Sequence, residues 1–128
     1  MKRVAVLTSG GDAPGMNAAI RSVIRTGLGY GWEMYGVYQG YLGCMTGNIE
    51  KLDARDVGGI VQQGGTVLGS ARATEFKTEA GRQKALDRFK SMGLECLVVI
   101  GGNGSQTGAD ELHKLGLPVV GVAWTIDN

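Results

Sequence analysis

Thr8-Ser9-Gly10-Gly11-Asp12-Ala13-Pro14-Gly15-Met16-Asn17-Ala18-Ala19 joins a short apolar run to a helix-like segment through a glycine-rich turn. Val4 to Leu7 before it reads as a buried strand, and Pro14 suits the first turn of a helix, where its missing N–H loses no bond. Gly10, Gly11 and Gly15 leave the backbone open to close approach by a polyanion, and free N–H groups at a helix start supply positive potential. A tight turn in any α/β protein gives the same pattern, so phosphate binding and plain chain reversal both stay open here.

A second stretch repeats the arrangement. Cys96 to Ile100 is continuously apolar, as strands covered on both faces are, and it runs into Gly101-Gly102-Asn103-Gly104-Ser105-Gln106-Thr107-Gly108 before a helix expected from Ala109 to Leu115. In a parallel sheet the carboxyl ends of the strands share one edge, so two such loops face each other across a crevice. Neither loop contains the GxxxxGK[ST] or GxGxxG pattern.

The 128 residues are expected to form one domain, enough to bury about two-thirds of the unfolded surface. Glycine is high, at 23 residues, yet the apolar fraction of 43% is ordinary, which places the excess in turns and loops. A net charge of +1, with no basic stretch interleaved with aromatics, argues against nucleic acid as partner. No run approaches membrane-spanning length and no signal-like core opens the chain, so a cytoplasmic protein with no membrane partner is expected. Cys44 and Cys96 lack metal-ligand spacing and read as structural thiols.

Periodicity predicts a helix from Met16 to about Leu28, ended by Gly27, Gly29 and Gly31, a strand over Glu33 to Tyr38, and a short helix over Asp53 to Val61. Gly64-Gly65-Thr66 and Gly69-Ser70-Ala71-Arg72 read as a loop around a short strand. A helix over Glu79 to Met92, a strand over Leu94 to Ile100 and a last strand over Pro118 to Val122 complete the pattern. The alternation implies an α/β fold: a three-layer, Rossmann-like parallel sheet with helices on both faces. His113, late in a polar helix, reads as a surface residue.

LTSGGDAPGMNAAIR at 7–21, GGTVLGSAR at 64–72, VVIGGNGS at 98–105 and TIDN at 125–128 together resemble the bacterial ATP-dependent 6-phosphofructokinase family in order and spacing. The resemblance spans the chain but matches only the amino-terminal part of that family. It implies a single nucleotide-binding domain over 1–128, with the sugar-phosphate half absent, from an enzyme that moves the terminal phosphoryl group of ATP to the 1-hydroxyl of fructose 6-phosphate. It places Gly11 by the nucleotide phosphates, Arg72 on the transferring phosphoryl group, and Gly102, Asn103, Gly104, Ser105 and Gly108 along the nucleotide cleft. Asp127 becomes the catalytic base and Thr125 a sugar contact, while Arg21 and Arg25 match arginines of an allosteric nucleotide site at a subunit interface. Adenine nucleotide, fructose 6-phosphate once the missing half is present, and further copies of the chain are the implied partners. Such transfer needs backbone donors, a guanidinium, usually Mg²⁺, and a carboxylate at the attacking hydroxyl. Taken singly, Arg72 equally suits a surface turn, Asp127 a helix cap, and Arg21 with Arg25 a solvated helix face.

Three departures qualify the resemblance. Asn103 stands where the GGDGS motif carries a metal-associated aspartate, and a neutral amide is a weaker Mg²⁺ ligand than a carboxylate, which puts the metal in question. Trp124 precedes TID where ATP users have a small residue and pyrophosphate users a lysine, although Gly104 agrees with ATP. Within this second departure, Ala73 and Lys77 also replace an aromatic and an arginine near the nucleotide loop, weakening adenine stacking. Third, the sugar-binding motifs that follow TIDN in the family lie outside the 128 residues, so the isolated chain is expected to be inactive. A module that binds nucleotide or phosphate without catalysis, an engineered scaffold or oligomerisation domain, and, more remotely, a lipid or dinucleotide kinase are the alternatives.

Overall fold

The computed structural model describes residues 2–9, 15–59, 66–69, 74–101 and 103–123, with backbone alone at 103–106 and 123. Among the described residues five strands, β1 (Arg3–Ser9), β2 (Glu33–Val37), β3 (Ile49–Leu52), β4 (Cys96–Gly101) and β5 (Val119–Ala123), alternate with four helices, α1 (Met16–Gly29), α2 (Tyr41–Thr46), α3 (Glu79–Met92) and α4 (Asn103–Lys114). A short 3₁₀ turn, Thr74–Lys77, precedes α3. The strand order is β3-β2-β1-β4-β5, parallel throughout except for β3, which runs antiparallel to β2. The expected α/β sheet is present, with one antiparallel edge strand added.

Two apolar layers sandwich the sheet. Ala5, Leu7, Leu97 and Val99 face α2, α3 and α4 through Cys44, Leu86, Phe89 and Leu112. Val4, Val6, Val98 and Ile100 face α1 through Ile20 and Ile24, joined by Leu52, Val57 and Leu68. Alternate residues of one strand therefore feed opposite layers, which is why β1 and β4 read as unbroken apolar runs. On α1 the buried face is Met16, Asn17, Ile20, Ile24 and Gly27. Thr78 caps α3 by accepting the Gly81 N–H, Glu79 sits in its first turn, and Gly93, at φ 71°, ends it.

Several local expectations change. Residues 54–59 form turns rather than a helix, because Asp53 and Asp56 satisfy the backbone locally: Asp53 Oδ1 accepts from Arg55 and Asp56 N–H, and Asp56 Oδ2 accepts from Asp53 N–H. Those bonds also hold the Asp53 carboxyl below its usual pKa. Gly27 and Gly29 lie inside α1 instead of ending it; a Cβ at Gly27 would overlap Met34 of β2. Residues 66–69 form a bend without a strand, and 60–65 and 70–73 lie outside the described residues.

At the amino edge of the sheet, Glu33 accepts from Arg3 Nε at 2.7 Å and Lys51 Nζ at 2.9 Å, and these two cations lower its pKa, Lys51 the more. The lowered carboxyl stabilises the fold above the ordinary glutamate pKa of about 4.3, and that contribution is lost as pH falls through its folded value. The gap in unfolding free energy between the chain and Glu33→Gln should therefore be open at pH 7 and shrink as pH falls below the ordinary glutamate pKa. Urea denaturation across that range checks it, with the gap shrinking in high salt.

Candidate functional site

The chain leaves β1 for β2 by way of α1 on one face of the sheet, and leaves β4 for β5 by way of α4 on the other. β1 and β4 are neighbours, so the order of strands reverses between them, the place where open α/β sheets bind ligands. The register aligns Ser9 with Gly101 and Gly101 with Ala123, so three strand ends form one row. At about 4.8 Å per strand, Ser9 and Ala123 are roughly 10 Å apart.

Two helices, α1 and α4, follow β1 and β4 in the chain. The N-cap of α1 is Gly15, at φ 91°, with no side-chain cap, and the first turn of α1 holds no acid. The first turn of α4 holds no acid either. Both contrast with α3, which carries Glu79 in its first turn, and a helix start without acidic residues leaves the positive end of its dipole uncompensated by its own carboxylates. The helix begins at Asn103, so residues 103–108, expected as loop, form the opening turns of α4.

A third segment docks beside the row. Leu68 N–H donates to Thr66 Oγ1 at 3.3 Å, Thr66 and Thr8 hydroxyls meet at 3.0 Å, and Thr8 donates to the Gly69 carbonyl at 3.1 Å. Because the single Thr8 proton goes to Gly69, Thr66 is the donor in the hydroxyl pair. Asn17 Oδ1 accepts the Val67 N–H at 2.7 Å, and the Gln39 N–H, from a residue at φ 66°, donates to Leu68 O at 2.9 Å. β1, α1 and the end of β2 thus hold residues 66–69 together.

On the opposite face the Tyr41 ring stacks on Phe76, centroids 4.2 Å apart, and lies against Gly108, where a Cβ would stand 2.9 Å from the ring. Glycine at 108 is thus required by packing. Burial raises the Tyr41 pKa, so its ring stays neutral. Arg82 donates to the carbonyls of Phe76 at 3.2 Å and Lys77 at 2.7 Å and reaches Glu111 of α4 at 3.4 Å, tying the 3₁₀ turn to α3 and α4.

Of the residues singled out in the sequence, Gly11, Arg72, Gly102, Thr125 and Asp127 lie outside the described residues, as do Ala73 and Trp124. Asn103, Gly104 and Ser105 fall in the first turn of α4, and Gly108 in its second. Arg21 and Arg25 sit one turn apart on α1; Arg25 is exposed, while Arg21 is half-buried and its Nε is buried without a hydrogen-bond partner. His113 is exposed, Cys44 is buried and Cys96 half-buried, and burial raises both thiol pKa values, keeping them unreactive. Among the described residues no helix is long and apolar enough to cross a membrane. Sequence reasoning missed Thr8, Asn17, Thr66, Tyr41 and Arg82. A signal did exist at Asn17, whose amide falls on the apolar stripe of α1 with Ile20 and Ile24.

Comparison with known proteins gives a consistent answer. The chain is 56% identical to the ATP-dependent 6-phosphofructokinase of Natranaerobius thermophilus over its full length and 40% of that protein, and 57% identical to that of Halothermothrix orenii, covering 39% of it. The chain thus spans about 40% of the length of these curated relatives. It superposes on phosphofructokinase from Saccharomyces cerevisiae with a TM-score of 0.89 at 40% identity, covering 99% of the chain and 20% of that structure. A pyrophosphate-dependent phosphofructokinase from Marinobacter aquaeolei shares the fold, with a TM-score of 0.82 at 23% identity, covering 34% of that protein. The phosphofructokinase family profile matches residues 3–128, and with relatives more than half identical along all of it, the chain belongs to the phosphofructokinase family.

Proposed function

We propose that the chain is the nucleotide-binding part of an ATP-dependent 6-phosphofructokinase, and that residues 1–128 form one domain that binds ATP but does not turn over alone. The observation that carries this reading is the row Ser9, Gly101 and Ala123, with Gly69 hydrogen-bonded beside it. Gly11 follows Ser9 by two residues, Gly102 follows Gly101 directly, Arg72 follows Gly69 by three, and Thr125 and Asp127 follow Ala123 by two and four.

In this reading the starts of α1 and α4, whose first turns hold no acid, receive the nucleotide phosphates, with Gly11, Gly102, Gly104 and Ser105 admitting them to the backbone. Gly108 acts through Tyr41, by letting that ring seat against α4. Arg72 stabilises charge on the transferring phosphoryl group, Asp127 takes the proton of the sugar 1-hydroxyl, and Thr125 orients the sugar. Fructose 6-phosphate and catalysis then require the rest of the protein. The family implies Mg²⁺, which would neutralise phosphate charge. The described residues hold no group of three His, Cys, Asp or Glu able to ligate a metal, and Asn103 brings no charge, so no step is assigned through it.

Calorimetric titration with ATP, with and without Mg²⁺, tests the reading. Saturable binding is expected with little Mg²⁺ dependence, and Asn103→Asp should make binding Mg²⁺-dependent by about tenfold. A folded chain that takes up no ATP leaves only the family's fold, as the scaffold alternative requires. The unpaired Arg21 Nε favours a second anion at Arg21 and Arg25, an effector nucleotide in a homo-oligomer.

A further inference from the structure

We propose that Thr8 and Asn17 are positioning residues that clamp the Thr66–Gly69 loop to the end of β1 and the start of α1, so that a polyphosphate meets the loop and these two ends as one surface. The inference rests on the nucleotide reading above and assigns roles that the motifs themselves do not.

Among the described residues these two are the buried polar side chains, with 0% exposure for Thr8 and 2% for Asn17. They bracket the opening turn, one as the penultimate residue of β1 and the other as the second residue of α1. Both spend hydrogen-bonding capacity on the same distant loop, 58 and 50 residues along the chain. A core needs only apolar groups at such positions, since a buried hydroxyl or amide must be compensated by a partner. What the polar pair adds is register: Asn17 sets Val67, and Thr8 sets Thr66 and Gly69. Leu68, between them, drops into the apolar layer on the α1 face at 2% exposure. The loop is thereby fixed in depth by Leu68 and in sideways placement by Thr8 and Asn17.

The test uses the 128-residue chain and its Thr8→Val, Thr8→Ser and Asn17→Ala variants. Thr8→Val keeps the shape and deletes the hydroxyl, leaving the Gly69 carbonyl and the Thr66 hydroxyl without that partner. Amide exchange at Val67 and Leu68 is read by NMR beside core amides at Val6 and Val99. ATP and inorganic triphosphate are titrated into each protein at a temperature where all are folded. Thr8→Val and Asn17→Ala should exchange about tenfold faster at Val67 and Leu68 with Val6 and Val99 unchanged, and should bind ATP on the order of tenfold more weakly. Thr8→Ser should match the parent in both. A role confined to stability would speed core and loop exchange together and leave affinity unchanged, which overturns the proposal. Faster loop exchange with unchanged ATP affinity also overturns it and leaves the nucleotide reading standing. If the parent takes up no ATP, the nucleotide reading fails; triphosphate uptake that weakens in Thr8→Val then still supports the clamp, and no triphosphate uptake overturns it too. Asn17→Ala decides if Thr8→Val does not fold.

Discussion

Phe89→Ala is expected to lower the unfolding free energy by about 3–5 kcal/mol, a large share of the 5–15 kcal/mol of a typical domain. Phe89 is 1% exposed and is the bulkiest of the fully buried side chains. On α3 the buried positions are Gly81, Ala85, Leu86 and Phe89, and the rest of the helix is largely charged, so Phe89 and Leu86 supply almost all of its apolar grip. Gly81 cannot compensate, because a Cβ there would overlap the Glu75 carbonyl. The void left by the ring lies between α3 and a sheet held in register by five strands, and such a site collapses poorly. Urea denaturation should show a lower midpoint with an unchanged slope. Loosening of α3 should also reach the 3₁₀ turn that Arg82 holds.

Leu68→Ala is expected to cost about 2–5 kcal/mol and to weaken ATP binding as well. Gly36 of β2 makes the hole that Leu68 fills: a Cβ at Gly36 would stand 2.8 Å from Leu68 Cδ2 and 2.6 Å from Leu52 Cδ1. That dependence gives a sharper test than the single variant. Gly36→Ala should be destabilising alone and less so in the Leu68→Ala background, with a coupling energy of about 1 kcal/mol in a double-mutant cycle. Strict additivity would mean that Leu68 does not seat against β2. Nucleotide affinity follows because the residue that sinks the loop into the core belongs to the segment leading to Arg72.

The sequence carried the long elements well. α3 starts and stops where periodicity places it, and α1 differs from its expected end by one residue. α2 and β3 escaped because neither is long enough to show a period. α2 has six residues between Gly40 and Gly47, and β3 has four, two of them charged. Reading residues 103–108 as loop failed for a different reason: glycine weakens a helix locally, but at 108 it also makes room for the Tyr41 ring. Motifs along the chain carried the candidate site, whereas its support is long-range. Nothing local to Thr8 or Thr66 says that their hydroxyls meet, and the bond from Asn17 to Val67 appears only after the chain has folded. The polarity of Asn17 within an apolar stripe was the one local trace.

The central place of β1 has a consequence for synthesis. β1 pairs with β2 on one side and with β4 on the other, and Arg3 donates its N–H to Glu95, 92 residues later. On the ribosome β1 emerges long before its second neighbour exists. At translation rates of about 5–20 residues per second, its apolar side chains wait roughly 5–20 seconds half-covered, against β2 alone. A nascent chain of this protein is therefore most exposed to chaperone capture, or to sticking to its own kind, until β4 is made, and β1 is sealed long after it is synthesised.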